Sequence, residues 1–318
     1  MLHRFAKFVA GCTVLLLLAG SLVTSTGSGL SVPDWPTTYG QNMFTFPPSK
    51  WVGGIFYEHG HRLIASSVGF LTIVLAAWLW RAEPRRWMKY LGIAALAAVI
   101  LQGVLGGLTV LFFLPAPIST AHAGLAELFF CTTVAIALFT SSGWLERRDA
   151  VDDPMLRRTA TTTSVLIYTQ ILIGAAMRHT DAGLAIPDFP WMFGHVIPDH
   201  WNAAIAVHFA HRVGALVVTL AVLATSAHIW YHHRGRRLLV RPAALIVALV
   251  AVQVTLGALT VLSQRDVWIN SVHLVCGALV FATSIVISLR AWRTKFDAVG
   301  AAERTANAAP RRAVEVRA

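Results

Sequence analysis

Eight long apolar runs limit what this chain can fold into more than any other feature of the sequence. A helix of about twenty apolar residues crosses a bilayer, and 56% of the 318 residues are apolar while only 13% are charged. The sequence therefore predicts an all-α integral membrane protein with eight transmembrane helices. The predicted helices cover about 8–27, 57–80, 89–113, 118–140, 157–177, 203–230, 242–262 and 270–290.

The basic residues predict the orientation of these helices. A net charge of +11 would suit a nucleic-acid partner, but the basic residues stand in short blocks between apolar runs, which argues against one. Twenty-one of them, from Arg4 onward, fall on one side of the membrane, and only Lys50, Arg178 and Arg265 fall on the other. Because cytoplasmic loops are enriched in Lys and Arg, both termini are predicted to be cytoplasmic.

The chain repeats itself after about 150 residues. The motif GLSVPDWP at 29–36 returns as GLAIPDFP at 183–190, and QGVLGGLTVL at 102–111 returns as QVTLGALTVL at 253–262. Repeats of four helices keep the same orientation in the membrane. We therefore expect two pseudosymmetric four-helix bundles. The first run resembles a signal peptide, but the repeat pairs it with an internal helix.

The repeat also predicts the domain organisation. The N-terminal bundle is assigned to residues 1–150 and the C-terminal bundle to 151–293. The tail at 294–318 is rich in Ala and Arg and is predicted to be cytoplasmic and disordered. Small residues let helices approach closely. Four glycines of the repeated segment are predicted at such contacts: Gly103, Gly106, Gly107 and Gly257.

Histidines recur at matched positions near one end of four apolar runs. His61 and His211 are 150 residues apart, and each precedes an arginine. His122 and His273 are 151 residues apart. Ionisable groups inside a membrane are costly and usually functional. Imidazole is a strong iron ligand, and facing helices can direct two imidazoles at one metal. His61 is predicted to pair with His122 on one haem. His211 is predicted to pair with His273 on a second haem. The alternative for all four histidines is that they are hydrogen-bonded packing residues.

An arginine follows the first histidine of each pair. The guanidinium group suits bidentate pairing with a carboxylate, so Arg62 and Arg212 are predicted to bind haem propionates. The alternative is that both side chains extend to the lipid headgroups. The proline-rich motifs at 29–36 and 183–190 are predicted either to cap the haem pockets or to form stiff turns on the helix ends.

One position breaks the repeat. Glu58 stands three residues before His61, whereas His208 stands three residues before His211, and this spacing puts each pair on one helix face. A carboxylate beside a haem can take up or deliver protons. The half with Glu58 is therefore predicted to be the reacting site and the other half an electron-transfer site. His208 is predicted to hydrogen-bond locally, and the alternative for Glu58 is a solvated carboxylate.

Other polar residues have simpler predictions. Glu127 is either part of a proton path or hydrogen-bonded to a neighbouring helix. All three cysteines lie in apolar runs and are predicted to be small buried residues without a disulfide. His232 and His233 belong to a basic loop and are predicted to be solvated.

Together these features resemble the haem A synthase family of bacterial and mitochondrial membranes over essentially all of residues 8–290. Many bacterial members have a cysteine pair in the outer loops, whereas residues 28–56 and 178–202 contain no cysteine. This chain therefore resembles the form that lacks them. The resemblance is carried by both loop motifs and by Glu58, His61, Arg62, His122, His208, His211, Arg212 and His273.

The resemblance implies a function and its residues. It implies a haem b cofactor held by His211 and His273. It further implies that the substrate, haem O, faces His61 and His122, and that Glu58 is needed for turnover. The family is an oxidoreductase acting on a CH3 group: it oxidises the C8 methyl of haem O to a formyl group through successive hydroxylations and loss of water. The product is haem A for cytochrome oxidases.

The same resemblance implies a location and partners. We expect the bacterial plasma membrane, with the haem sites near its outer face, surrounding lipid, a contact with haem O synthase and a homo-oligomer. Two other functions remain open at this stage, a quinol-linked di-haem cytochrome b that only carries electrons and a haem transporter or chaperone. The difference between Glu58 and His208 favours the enzyme.

Overall fold

The computed structural model describes residues 1–146 and 150–296, and their regular structure is helical. Eight of the helices in these ranges are long and apolar enough to cross a membrane, which confirms the eight predicted spans. They are α1 Leu2–Ser25, α2 Gly54–Ala82, α3 Arg86–Leu111, α4 Ala116–Phe139, α6 Pro154–His179, α7 Ala203–His232, α8 Arg237–Leu262 and α9 Val267–Ala291, with a short α5, Ser142–Leu145, between the halves.

Part of the predicted domain organisation falls outside the described residues. The boundary near residue 150 adjoins residues 147–149, and most of the predicted tail lies at 297–318. The domain limits therefore stay predictions.

The helix contacts have the same pattern in both halves. In the first half α1 and α3 each pack against α2 and α4, so that α2 and α4 occupy opposite corners of a bundle. In the second half α6 and α8 each pack against α7 and α9. The halves meet where α4 contacts α6 and α9 and where α1 contacts α9. The symmetry axis that would relate the two halves stays a prediction.

Helices α4 and α9 lie at the centre of the molecule. In each of them 56% of the most apolar stretch of 18 residues is buried within the chain, against 17–28% of the corresponding stretch in the other six spans. The remaining spans therefore leave most of their apolar surface for lipid, as a membrane protein of this size must.

Helix α8 begins earlier than the sequence predicts, because a side chain compensates for a proline. Pro242 lies inside the helix, and its missing N–H removes the donor that would bond to the carbonyl of Leu238. Nη1 of Arg290 donates to that carbonyl at 2.6 Å. The first turn of α8 can therefore precede the proline instead of starting at it.

The two long loops, 28–56 and 178–202, fold around equivalent aspartates. The carboxylate of Asp34 accepts the backbone N–H of Gly40 at 2.8 Å, and that of Asp188 accepts the N–H of Gly194 at 2.9 Å. Both glycines have a positive φ, of 72° and 78°, which residues with a Cβ rarely adopt. Burial alone would raise the pKa of each aspartate. Hydrogen bonds from the hydroxyl of Thr37 and the N–H of Gly40 hold the pKa of Asp34 below its ordinary value, and those from the N–H groups of Gly194 and Phe193 do so for Asp188. Each loop therefore contains a stiff turn. We call the end of the molecule that carries them the loop end.

A carboxylate joins two helices at the opposite end. Oδ1 of Asp153 caps α6 by accepting the N–H of Leu156 at 2.9 Å. Oδ2 lies 2.8 Å from Nε2 of His228 and 2.8 Å from Nε2 of His233, near the end of α7. The prediction that His233 is solvated is therefore wrong, because it is half-buried against Asp153, whereas His232 is exposed as predicted.

Two of the three cysteines are buried as predicted. Cys131 and Cys276 are buried and Cys12 is half-buried, and all three are free thiols.

Candidate functional site

The structure brings the four predicted histidines together in two pairs near the loop end. His61 on α2 and His122 on α4 lie within electrostatic range of each other. His211 on α7 and His273 on α9 do the same in the second half. All four are half-buried, and each lies within about two turns of the start of its helix. Their proximity is compatible with the predicted pairs, while the pairing on a common haem and iron ligation stay predictions.

A glycine on an adjacent helix backs each imidazole. A Cβ on Gly20 of α1 would lie 3.0 Å from Cε1 of His61, and one on Gly174 of α6 would lie 2.8 Å from Cε1 of His211. The corresponding distances are 3.3 Å from Gly106 of α3 to His122 and 3.2 Å from Gly257 of α8 to His273. Real Cβ contacts are rarely this short, so any other residue would displace the ring. We call these four positions the glycine cradle: Gly20, Gly106, Gly174 and Gly257.

The Nδ1 atoms point away from solvent. In His61, His122 and His273, Nδ1 is buried without a hydrogen-bond partner among the described residues. The backbone carbonyl of Gln102 lies near the imidazole of His122, and that of Gln253 lies near the imidazole of His273. A histidine that binds a metal through Nε2 usually turns Nδ1 towards such an oxygen.

These observations fit haem ligation. Two imidazoles from opposite corners of a four-helix bundle suit a bis-histidine haem. Nδ1 of His211 is engaged by Gln170, at 2.9 Å, and Nε2 of His273 lies 3.4 Å from Nε2 of Gln253. The glycine cradle provides the room that the rings need. The fit holds for His61 with His122 and for His211 with His273.

Glu58 ties α2 to the first long loop. It is buried, with only 3% of its surface exposed. Its Oε2 accepts the backbone N–H of Val32 at 2.8 Å, and its Oε1 accepts Nη2 of Arg62 at 2.6 Å. The alternative of a solvated Glu58 is therefore wrong. Arg62 also donates to the carbonyls of Val32 and Asp34, at 3.0 and 2.8 Å.

His208 and Arg212 make the corresponding contacts in the second half. The N–H of Ile186 donates to Nδ1 of His208 at 3.2 Å, which agrees with the prediction of a local hydrogen bond. Arg212 donates to the carbonyls of Ile186 and Asp188, at 3.0 and 2.7 Å. Both arginines therefore hold the loops through backbone carbonyls. Their pairing with haem propionates stays a prediction.

The two halves thus use different chemistry for the same structural task. The carboxylate of Glu58 accepts from both the loop and Arg62, whereas the imidazole of His208 contacts the loop through Nδ1 and Nε of Arg212 through Nε2, each at 3.2 Å. Among the described residues, only the first half combines a histidine pair with a buried carboxylate one turn away. Such a group can exchange protons with a reacting ligand.

The glycines of the repeated segment make room for side chains and not for helix backbones. Gly106 and Gly257 face histidines, and a Cβ on Gly107 would lie 2.5 Å from the ring of Trp35. Nothing lies within 4 Å of the Cβ position of Gly103, so its predicted helix contact is wrong. Trp35 of the first loop motif therefore packs directly on α3 and closes the loop end of the first bundle.

Glu127 lies at the interface between the halves. It is buried on α4, and its Oε2 has no hydrogen-bond partner among the described residues. Cys131 of the same helix and Tyr168 of α6 lie within electrostatic range of it. A structural hydrogen bond to a neighbouring helix is thus not seen at Oε2, and the proton path stays a prediction.

Sequence reasoning missed Gly20, Gly174 and Gln170. The first two are 154 residues apart, the same offset as the loop motifs, so the repeat contained the signal. Gln170 contacts His211 but has no glutamine at the equivalent position of the first half. A search for repeated residues therefore does not find it.

The fold and the site define a class of protein, an eight-span helical membrane protein in which each half holds a pair of half-buried histidines in glycine cradles. The chain belongs to the COX15-CtaA family, described as cytochrome oxidase assembly protein, whose model matches residues 3–285.

Relatives that carry the name heme A synthase match over most of their length. The chain is 32% identical to the heme A synthase of Shouchella clausii over 268 residues, which cover 83% of this chain and 88% of the relative. It is 30% identical to the heme A synthase of Halalkalibacterium halodurans over 306 residues, or 92% and 99% of the two chains. For that of Geobacillus kaustophilus the identity is 27% over 317 residues, or 97% and 98%.

Proposed function

We propose that this chain is a haem A synthase that oxidises the C8 methyl group of haem O to a formyl group. The family match and the names of the relatives support an enzyme of haem biosynthesis. The observation that carries the choice of the first half as the reacting site is Glu58. It is a buried carboxylate one turn from a histidine pair, and the other half has His208 in its place.

In this proposal the two halves have separate tasks. His211 and His273 hold a haem b, which supplies a one-electron redox centre when bound. His61 and His122 face the iron of the substrate, haem O. The glycine cradle fixes the imidazoles, and the loop held by Arg62 limits the access of water to the first half.

Glu58 is the residue proposed to move protons. Oxidation of a methyl group to a formyl group releases protons, and the Glu58 carboxylate stands one turn before His61. Its oxygens are engaged by Val32 N–H and by Arg62. A proton on either oxygen would weaken one of these contacts, so protonation of Glu58 couples the chemistry to the position of the first loop.

The basic residues support an orientation with both termini in the cytoplasm and the haem sites near the outer face of the bacterial plasma membrane. The two bundles are proposed at residues 1–150 and 151–293.

Delivery of haem O by haem O synthase and assembly into a homo-oligomer are parts of the same proposal, and each requires its own binding experiment.

The test is to express the full chain with a source of haem O and to identify the extracted haems by mass. We expect haem A from the wild type. Glu58→Ala should lose haem A and retain haem b. The matched control is Glu83→Ala, which removes another buried glutamate paired with an arginine, Arg85, at the opposite end of α2, and it should retain haem A.

Two results would contradict the proposal. Unchanged haem O in cells with the wild-type chain would exclude the enzyme. Two haems b per chain without conversion of haem O would identify an electron carrier instead.

A further inference from the structure

His211 has a contact that its counterpart in the first half lacks. Nε2 of Gln170 lies 2.9 Å from Nδ1 of His211 and donates to the backbone carbonyl of His211 at 2.8 Å. The offset of 154 residues that relates Gly20 to Gly174 places Leu16 at the position of Gln170. Leucine cannot form a hydrogen bond with the side chain of His61.

A second difference accompanies the first. A Cβ on Gly214 would lie 2.0 Å from Oε1 of Gln170, so only glycine leaves room for this amide. The offset of 150 residues that relates His61 to His211 places Ile64 at the position of Gly214. The second half therefore contains both the glutamine and the space for it, and the first half contains neither.

The amide is placed to serve a metal-bound histidine. A histidine that binds iron through Nε2 carries its proton on Nδ1, and an oxygen usually accepts that proton. Oε1 of Gln170 is buried and has no partner among the described residues. Rotation of the amide about its last bond exchanges its two atoms and brings this oxygen to Nδ1 of His211, and the hydrogen bond from Nε2 to the carbonyl of His211 is then given up.

His211 is the exception among the four histidines. Nδ1 of His61, His122 and His273 is buried without a hydrogen-bond partner among the described residues, whereas Nδ1 of His211 has Gln170. This support belongs to the half proposed to hold the resident haem, and His61 in the other half lacks it.

We propose that Gln170 is a positioning residue that fixes His211 as a permanent haem ligand, and that Leu16 in its place leaves His61 able to release the substrate. This inference rests on the proposed function, since it assumes a resident haem in the second half. A hydrogen bond to Nδ1 orients the ring and makes it a stronger donor to the metal, and its loss typically costs about 10- to 100-fold in metal affinity.

The test uses the full-length protein with its haem b. In Gln170→Leu we expect a reduction potential above that of the wild type, because the weaker imidazole stabilises ferric iron less. Transfer of haem b to apomyoglobin should increase about 10- to 100-fold. The control is Thr169→Val, because Thr169 is exposed on the same helix and its hydroxyl bonds only to the carbonyl of Val165. This variant should behave as the wild type.

A second variant keeps the glutamine. Gly214→Ala forces Oε1 of Gln170 to move and should shift potential and haem transfer in the same direction. It decides the question if Gln170→Leu does not fold. The inference would be overturned if a folded variant of either kind, with haem b present, kept the reduction potential and the haem transfer of the wild type. A wild-type chain without haem b would instead contradict the proposed function.

Discussion

Single glycines determine where the four imidazoles can stand. At each of the four positions, a histidine ring of the neighbouring helix occupies the space that a Cβ would need. The shortest of the four distances, 2.8 Å, joins the Cβ position of Gly174 to the ring of His211. A side chain at Gly174 should therefore disturb its histidine more than one at the other three positions. The consequence is testable without any knowledge of the reaction.

Gly174→Ala should weaken haem b binding by about 10- to 100-fold, because the new methyl group displaces the ring of His211. The measurement is the haem content of the purified protein after washing in detergent. Gly103→Ala is the control, since nothing lies within 4 Å of its Cβ position. If both variants kept their haem equally well, the cradle would have no role in binding.

The packing of Trp35 on Gly107 leads to a second prediction at this scale. Gly107→Ala should destabilise the protein by about 1–3 kcal/mol, because its Cβ would overlap the Trp35 ring. The repeat suggests a repair, since the second half has Ala258 and Phe189 at these positions. Trp35→Phe combined with Gly107→Ala should recover most of the loss in thermal stability. Additive losses in the double variant would show that the two residues do not interact.

Residue types at repeated positions predicted the histidine pairs, but the partners of single residues depend on the fold. His233 has its partner, Asp153, 80 residues away in sequence, and no local pattern connects them. Gly103 belongs to the same run of glycines as Gly106, yet it faces open space. Composition alone cannot separate such neighbours.

At the scale of helices and loops, a few polar contacts determine where elements begin and how they join. Arg290 allows α8 to start before Pro242, and Asp34 and Asp188 shape the two long loops. Hydropathy predicted all eight helices because apolar length alone defines a span. It could not predict their first turns, which depend on side chains from other elements.

Asp153 provides a prediction for pH. Burial alone would raise the pKa of Asp153, but the hydrogen bonds from His228, from Leu156 N–H and from His233 hold it below its ordinary value. A carboxyl group with a lowered folded-state pKa stabilises the fold above its unfolded pKa of about 3.9. This contribution is lost as the pH falls through the folded-state value.

Asp153→Ala should therefore cost about 1–3 kcal/mol of stability at neutral pH. The difference in melting temperature between variant and wild type should persist down to about pH 4 and shrink below it. Asp181→Ala is the control, because Asp181 is exposed and lies 3.6 Å from Arg265, and such a pair contributes little. A difference that grew as the pH fell below 4 would contradict the assignment.

At the scale of the whole molecule, the proposed function requires that the loop end faces the outside of the cell. Ser49 lies in the first long loop and Arg234 in the basic loop after α7, and both are exposed. With the three native cysteines replaced, Ser49→Cys should react with an impermeant maleimide in intact spheroplasts. Arg234→Cys should react only after lysis. Labelling of Arg234→Cys in intact cells would reverse the orientation.

The central claim is a division of labour, with a resident haem b on His211 and His273 and the substrate on His61 and His122. The most direct measurement is the haem content and reduced-minus-oxidised spectrum of purified His61→Ala and His211→Ala. We expect His61→Ala to keep haem b and lose haem A formation, and His211→Ala to lose haem b. A His61→Ala variant without the resident haem, beside a His211→Ala variant that keeps it, would contradict the account.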